Sequence, residues 1–306
     1  MSEVSTIEIE KPSFGKMIWA FTIVTLSYIL AGGAAIGIGY PLSLAGVDPI
    51  WITLIADVGA TIVIFIFSVI FNNVSFYDPY WSVQPIAIAI YWMFLPQAAT
   101  ADIYRQAIVL GCISFWGVRL TANWIRGWKG LKHEDWRYVK YRKDTPKLFW
   151  FIAFTGLEMM PTLLVYLGCI SIYPAIVLSD NPLNYFDIIA VIITVGATLI
   201  EFIADEQMKI FTQMNTNSKE IMRLGLWGIS RHPNYFGEVT FWWGLFFFAL
   251  AADLKWWWTF SGPLAITLLF IFISVPLMEN HQIKKRPEYL EYKKKVSMLV
   301  PWFPRK

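Results

Sequence analysis

Eight apolar stretches constrain what this 306-residue chain can fold into. They lie at roughly 17–39, 51–71, 83–96, 104–125, 148–178, 185–204, 237–251 and 256–277. About 20 apolar residues in a helix cross the hydrocarbon of a bilayer. Backbone amides find no water there, so helices or closed barrels are the only spanning structures. The third and seventh stretches are short, and the fifth is long and carries Pro161 and Pro174. The expected fold is an all-α, multi-pass transmembrane helical bundle of about 7–8 spans. Charged residues make up 15% of the chain, against about 25% in soluble domains, which agrees.

Charge predicts the orientation. Segments 1–16, 126–147, 206–235 and 278–306 carry 2, 8, 4 and 8 Lys or Arg, 22 of the 25 in the chain. With eight spans all four lie on one side, which the positive-inside rule makes the cytosol. Both termini are then cytosolic. The segment Met1–Lys16 lacks the basic start and small-residue cleavage site of a signal peptide, so the first span is expected to act as an uncleaved anchor. The basic residues sit in short loops between spans, which argues against nucleic acid as a partner and for membrane lipids. The tail Glu279–Lys306 is basic and aromatic and is expected to lie along the membrane surface. No repeat or linker divides the chain, so it reads as a single transmembrane domain over 1–306. The membrane would be the endoplasmic reticulum in a eukaryote or the inner membrane in a bacterium. The sequence says nothing about oligomeric state.

The densest polar cluster is Gly225-Leu-Trp-Gly-Ile-Ser-Arg-His-Pro-Asn-Tyr-Phe-Gly-Glu238. It sets Arg231, His232, Asn234, Tyr235 and Glu238 against a long apolar run. Such a knot at the water end of a span is costly unless it binds something, and its chemistry suits a phosphate-bearing cofactor. Glu201, Asp205 and Lys209, spaced i, i+4, i+8, share a helical face. They form either a salt-bridged helix end or a polar wall beside that knot. Asp57 and Glu158 lie inside spans with no motif around them and read as structural. Asp78, in Asn73-Val-Ser-Phe-Tyr-Asp-Pro-Tyr-Trp-Ser82, is either a turn residue before Pro79 or, with Tyr80, a proton donor for a carbonyl substrate. Arg119 lies about two turns inside its span and reads as a snorkelling side chain.

Other chemistries lack their signatures. No GxSxG, Walker loop or GxGxxG occurs. Cys112 and Cys169 lie in apolar runs without ligand spacing, so no metal site is expected.

The motif Ser230-Arg-His-Pro-Asn-Tyr-Phe-Gly-Glu238 resembles the steroid 5α-reductase superfamily, in its broad branch of uncharacterised multi-pass proteins. Ala204-Asp-Glu-Gln-Met-Lys209 and Pro287-Glu-Tyr-Leu-Glu-Tyr292 extend the resemblance, which covers a C-terminal region from 185 to 306. It implies an NADPH site held by Asp205, Lys209, Arg231, His232, Asn234, Tyr235, Glu238 and His281. It also implies a catalytic acid at Asp78 assisted by Tyr80, because the family's tyrosine position holds Trp116. The implied function is NADPH-dependent reduction of a C=C bond in a lipophilic enone, a sterol or prenoid lipid. Because RHPxY is shared with isoprenylcysteine methyltransferases, an S-adenosylmethionine-dependent membrane methyltransferase is the alternative. A non-enzymatic lipid-binding protein that keeps the fold is a third reading.

Overall fold

The computed structural model describes residues 13–215, 217 and 219–305. The charge reading of Met1–Lys16 therefore lies largely outside the described residues. The described residues form helices and no strands. In chain order the helices are α1 (Phe14–Leu44), α2 (Pro49–Ile70), α3 (Tyr80–Met93), α4 (Ile103–Gly127) and α5 (Trp136–Asp144). Then follow the composite α6 (Phe149–Leu178), α7 (Tyr185–Met214), α8 (Pro233–Ala252), the composite α9 (Leu254–Lys285) and α10 (Tyr289–Lys295).

Seven of these are long and apolar enough to cross a membrane. Besides the short helices α5 and α10, the one that does not qualify is α3, where the sequence places its third span. Its 14 residues reach only about 21 Å. Two other helices run past their apolar limits toward the polar motifs. α7 continues ten residues beyond 204, and α8 starts at Pro233 rather than 237. The cofactor-like motif is therefore the first turn of a helix. Proline at N1 explains that start, since its missing N–H is one the first turn leaves unpaired anyway. Asn184 and Asp187 form a reciprocal capping box that starts α7.

Two compact units are separable. The first comprises Met1–Gln84 and Leu120–Leu163, the second Pro85–Arg119 and Leu164–Lys306. In the first, α1 packs along α2, and Tyr28 meets Tyr80 edge to face at 5.8 Å. In the second, α7 packs along α8 at very close range. A Cβ on Gly237 would lie 2.7 Å from the Ala197 carbonyl, and one on Gly244 would lie 2.6 Å from Thr194 Cγ2. Glycines seven residues apart thus let the two backbones touch, as small residues do in membrane helix pairs.

The C-terminal tail packs back onto the chain. Tyr289 and Tyr292 are buried, packed with Val296, Ile221 and Ile283. The tail is pinned to the 229–231 segment by Arg231 N–H to Ser297 O (2.8 Å), Trp302 N–H to Ile229 O (2.9 Å) and Ser230 Oγ to Leu299 O (2.7 Å). Unpaired backbone groups at this turn are costly, so the chain folds back on itself. Trp302 and Phe303 remain exposed at its end.

Candidate active site

The α7–α8 crossing positions a buried polar cluster in the second unit. Gly237 brings α8 against Glu201, so the neighbouring Asn234 and Glu238 approach the polar face of α7. Arg119 of α4 donates from Nη1 to Asp205 Oδ2 (2.8 Å) and from Nη2 to Glu201. Asn234 Nδ2 donates to Asp205 Oδ1 at 3.4 Å. Glu238 accepts from the indoles of Trp116 (3.0 Å) and Trp242 (2.8 Å), and it lies within electrostatic reach of Arg119 and Asp205. Trp116 stacks on Phe241 with ring centroids 4.6 Å apart, which fixes the indole that holds Glu238.

Arg231 and His232 belong to a second knot. Arg231 Nε donates to Glu279 Oε1 (2.6 Å), and its Nη1 donates to the carbonyls of Lys293 (2.9 Å) and Val296 (2.5 Å). Lys293 Nζ reaches Glu279 Oε2 at 2.6 Å, and His232 Nε2 stands 3.4 Å from Oε1. Three basic side chains thus converge on one carboxylate. The guanidinium that the motif offers to a phosphate is used here to clamp the tail.

The remaining expected residues are more scattered. Tyr235 stacks on the His232 ring at 5.2 Å. Lys209 Nζ stands 3.9 Å from Glu206 Oε2, half-exposed. His281 lies on α9, two residues beyond Glu279, and is half-buried.

In the first unit, Asp78 and Tyr80 each take a different partner. Asp78 accepts from Tyr138 Oη at 2.6 Å. Burial pushes its carboxyl up to about 6, against the opposing pull of Arg137 and the Tyr138 hydrogen bond. Tyr80 Oη donates to Asp57 Oδ1 at 2.8 Å, and Gln84 Nε2 donates to Asp57 Oδ2. Tyr77 and Thr61 both meet Thr162 Oγ1, at 2.8 and 2.9 Å. The structure therefore pairs Tyr80 with Asp57, a residue that the sequence offers only as structural.

Arg119 and Asp57 were accessible from sequence by one signal, an ionisable residue inside a span. Trp116 and Trp242 carried no such signal, because an indole N–H in an apolar run reads as packing.

Residues 64–296 match the family described as protein of unknown function (DUF1295), and the chain belongs to that family. It is similar to the uncharacterised protein C594.04c of Schizosaccharomyces pombe, at 25% identity over 252 residues. That alignment covers 75% of this chain and 73% of the relative. No solved structure matches.

Proposed function

We propose that the protein is an NADPH-dependent reductase of a C=C bond in a lipophilic enone, a sterol or prenoid lipid, within the steroid 5α-reductase superfamily. The observation that carries this reading is the buried Tyr80–Asp57 pair. A phenol bonded to a carboxyl in the interior of a membrane protein can serve as a proton donor. With a proton on Asp57 the hydrogen bond reverses, and the Tyr80 hydrogen becomes free for a substrate carbonyl. That bond polarises the enone and prepares its carbon for reduction. Asp78, held by Tyr138, keeps the turn ahead of α3 in place.

The second unit fits the hydrogen-bonding end of NADPH. Arg119 Nε and Glu201 Oε1 are buried and have no hydrogen-bond partner among the described residues. One is a donor and the other an acceptor. A carboxamide or a ribose hydroxyl pair presents the complement of both. Asp205, Asn234 and Glu238 would complete that cradle. The phosphates would fall to Lys209, Lys219 and Arg223, since Arg231 is committed to Glu279 and the tail. NADPH supplies the hydride when bound.

The test is NADPH oxidation by the purified protein against a panel of lipophilic enones, with the reduced product identified by mass spectrometry. Tyr80→Phe should lower turnover by about 10²-fold or more while leaving NADPH affinity unchanged. Binding of S-adenosylmethionine with no NADPH oxidation on any enone would transfer the function to a methyltransferase.

We also place the basic segments 126–147, 206–235 and 278–306 in the cytosol, on their 8, 4 and 8 Lys or Arg; the N-terminus joins them there only if α3 also crosses. Ser179 is the obvious labelling position in the opposite loop, but it is buried and accepts from Arg105 Nη1 at 2.8 Å. Ser218, its cytosolic counterpart, lies outside the described residues. Leu183→Cys and Glu220→Cys sit at exposed positions. An impermeant reagent added outside should modify Leu183→Cys alone. Labelling of Glu220→Cys would overturn the topology.

A further inference from the structure

Glu158 takes no part in the chemistry proposed above, and its surroundings are unusual. Its side chain is completely buried, at 0% exposure, in the interior of α6. Neither carboxylate oxygen has a hydrogen-bond partner among the described residues. Ser68 of α2, also 0% exposed, stands beside the carboxyl but outside hydrogen-bonding geometry, and its hydroxyl is likewise unpartnered. Glu158 sits in a π-helical segment, Ala153–Met159. Such widened turns are rare and occur mostly where a helix serves a function.

The other polar groups of this part of the first unit are already engaged or lack a proton to give. Thr162 Oγ1 is taken up by the Glu158 carbonyl, Thr61 and Tyr77. Gln84 Nε2 is taken up by Asp57 and the Thr162 carbonyl, which leaves Gln84 Oε1 as another buried acceptor without a partner. The ionisable groups that act on Glu158 are Asp78, Tyr28 and Tyr77, and none is a cation. The unpartnered atoms at the carboxyl are thus its own two oxygens and the Ser68 hydroxyl. An ionised carboxylate in such a place costs several kcal/mol unless a positive charge joins it. Full burial leaves no room for a bulky head group. A multivalent metal would want more ligands, and no group of three His, Cys, Asp or Glu suited to a metal occurs among the described residues.

We propose that Glu158 and Ser68 form a binding site for a small monovalent cation, a proton or a sodium ion, inside the first unit. Ser68 supplies a neutral oxygen and Glu158 the charge. Occupancy neutralises the carboxylate and holds α2 against the π segment of α6.

The site is tested by thermal unfolding of the full chain in detergent. One arm exchanges sodium for choline at fixed ionic strength. The other runs from about pH 5 to about pH 9 in choline. A cation that binds only the native state stabilises it by mass action. Sodium as occupant raises the midpoint with sodium concentration. A proton as occupant gives no sodium response, and stability falls as pH rises, because the native state holds a proton that the unfolded state has released. Glu158→Gln should abolish a sodium response or, for a proton, remove the part of the pH response that persists in an Asp78→Asn background. Ser68→Ala should shift the midpoint of that response by about fivefold in cation concentration, the worth of one hydrogen bond. A wild type that responds to neither cation overturns the site. So does Glu158→Gln with the wild-type response or, should that variant not fold, an unchanged midpoint in Ser68→Ala.

Discussion

The two units treat buried carboxylates in opposite ways. In the second, Asp187 is bonded by Arg105, Glu201 by Arg119, Glu279 by Arg231 and Lys293, and Glu238 by two indoles. In the first, Asp57 is met by a phenol and an amide, and Glu158 by no hydrogen-bond donor among the described residues. Fixed guanidinium partners hold a charge in place and suit a rigid, polar ligand cradle. Hydroxyl and amide partners tolerate either protonation state and suit a proton that comes and goes. The division matches the proposed roles of cofactor-holding in the second unit and proton-handling in the first.

Substitutions can break this contrast. The largest effect is expected at Arg105, whose guanidinium donates to both Asp187 oxygens at 2.8 Å and to the carbonyls of Asn181 and Pro182. Arg105→Ala strands a buried charge and should cost about 3–5 kcal/mol in chemical unfolding. Asp57→Asn should cost less than about 1.5 kcal/mol, because its partners are neutral. Equal losses from the two variants would dissolve the contrast. Arg231→Gln should cost about 2–3 kcal/mol and, more tellingly, raise hydrogen exchange across 289–302. Unchanged exchange there would mean that the clamp is not what holds the tail.

A smaller effect concerns Asp78. Its carboxyl is raised from the usual 3.8 to about 6, so the folded protein binds the proton more tightly than the unfolded chain. Its contribution to stability is complete below about pH 4 and lost as pH rises through about 6. Asp78→Asn should flatten that part of the pH–stability curve. The same slope in the variant would assign it elsewhere. Smallest of all, Lys209→Ala should change stability by less than about 0.5 kcal/mol, since its pair with Glu206 is half-exposed. A larger loss would place Lys209 in the buried cluster after all.

The sequence made the helical, multi-pass fold legible because spanning length and loop charge are local properties. It also marked 225–238 as the densest polar cluster, because five polar residues ahead of an apolar run stand out locally. Partners across the fold were a different matter. Tyr80 is followed one residue later by Trp81 and preceded two residues earlier by Asp78, yet its bond goes to Asp57, on α2. Arg231 reads as a phosphate ligand until Glu279 and the tail carbonyls are seen around it. The short α3 shows why the span count stays at about 7–8 in sequence: an apolar run reports burial and not length in the bilayer. Gly237 belongs to the motif, but its packing role is visible only in the fold, where a Cβ would lie 2.7 Å from the Ala197 carbonyl and 2.5 Å from Glu201 Cγ.

The central claim is that the buried cluster of the second unit holds NADPH. Calorimetric titration of NADPH into the purified full chain tests it most directly, with Asp205→Asn and Glu238→Gln beside the wild type and folding checked by thermal unfolding. Saturable binding by the wild type, weakened about tenfold or more in both variants, a loss of about 1.4 kcal/mol, is the predicted result. No binding by folded wild type, or equal affinity in all three proteins, would contradict it.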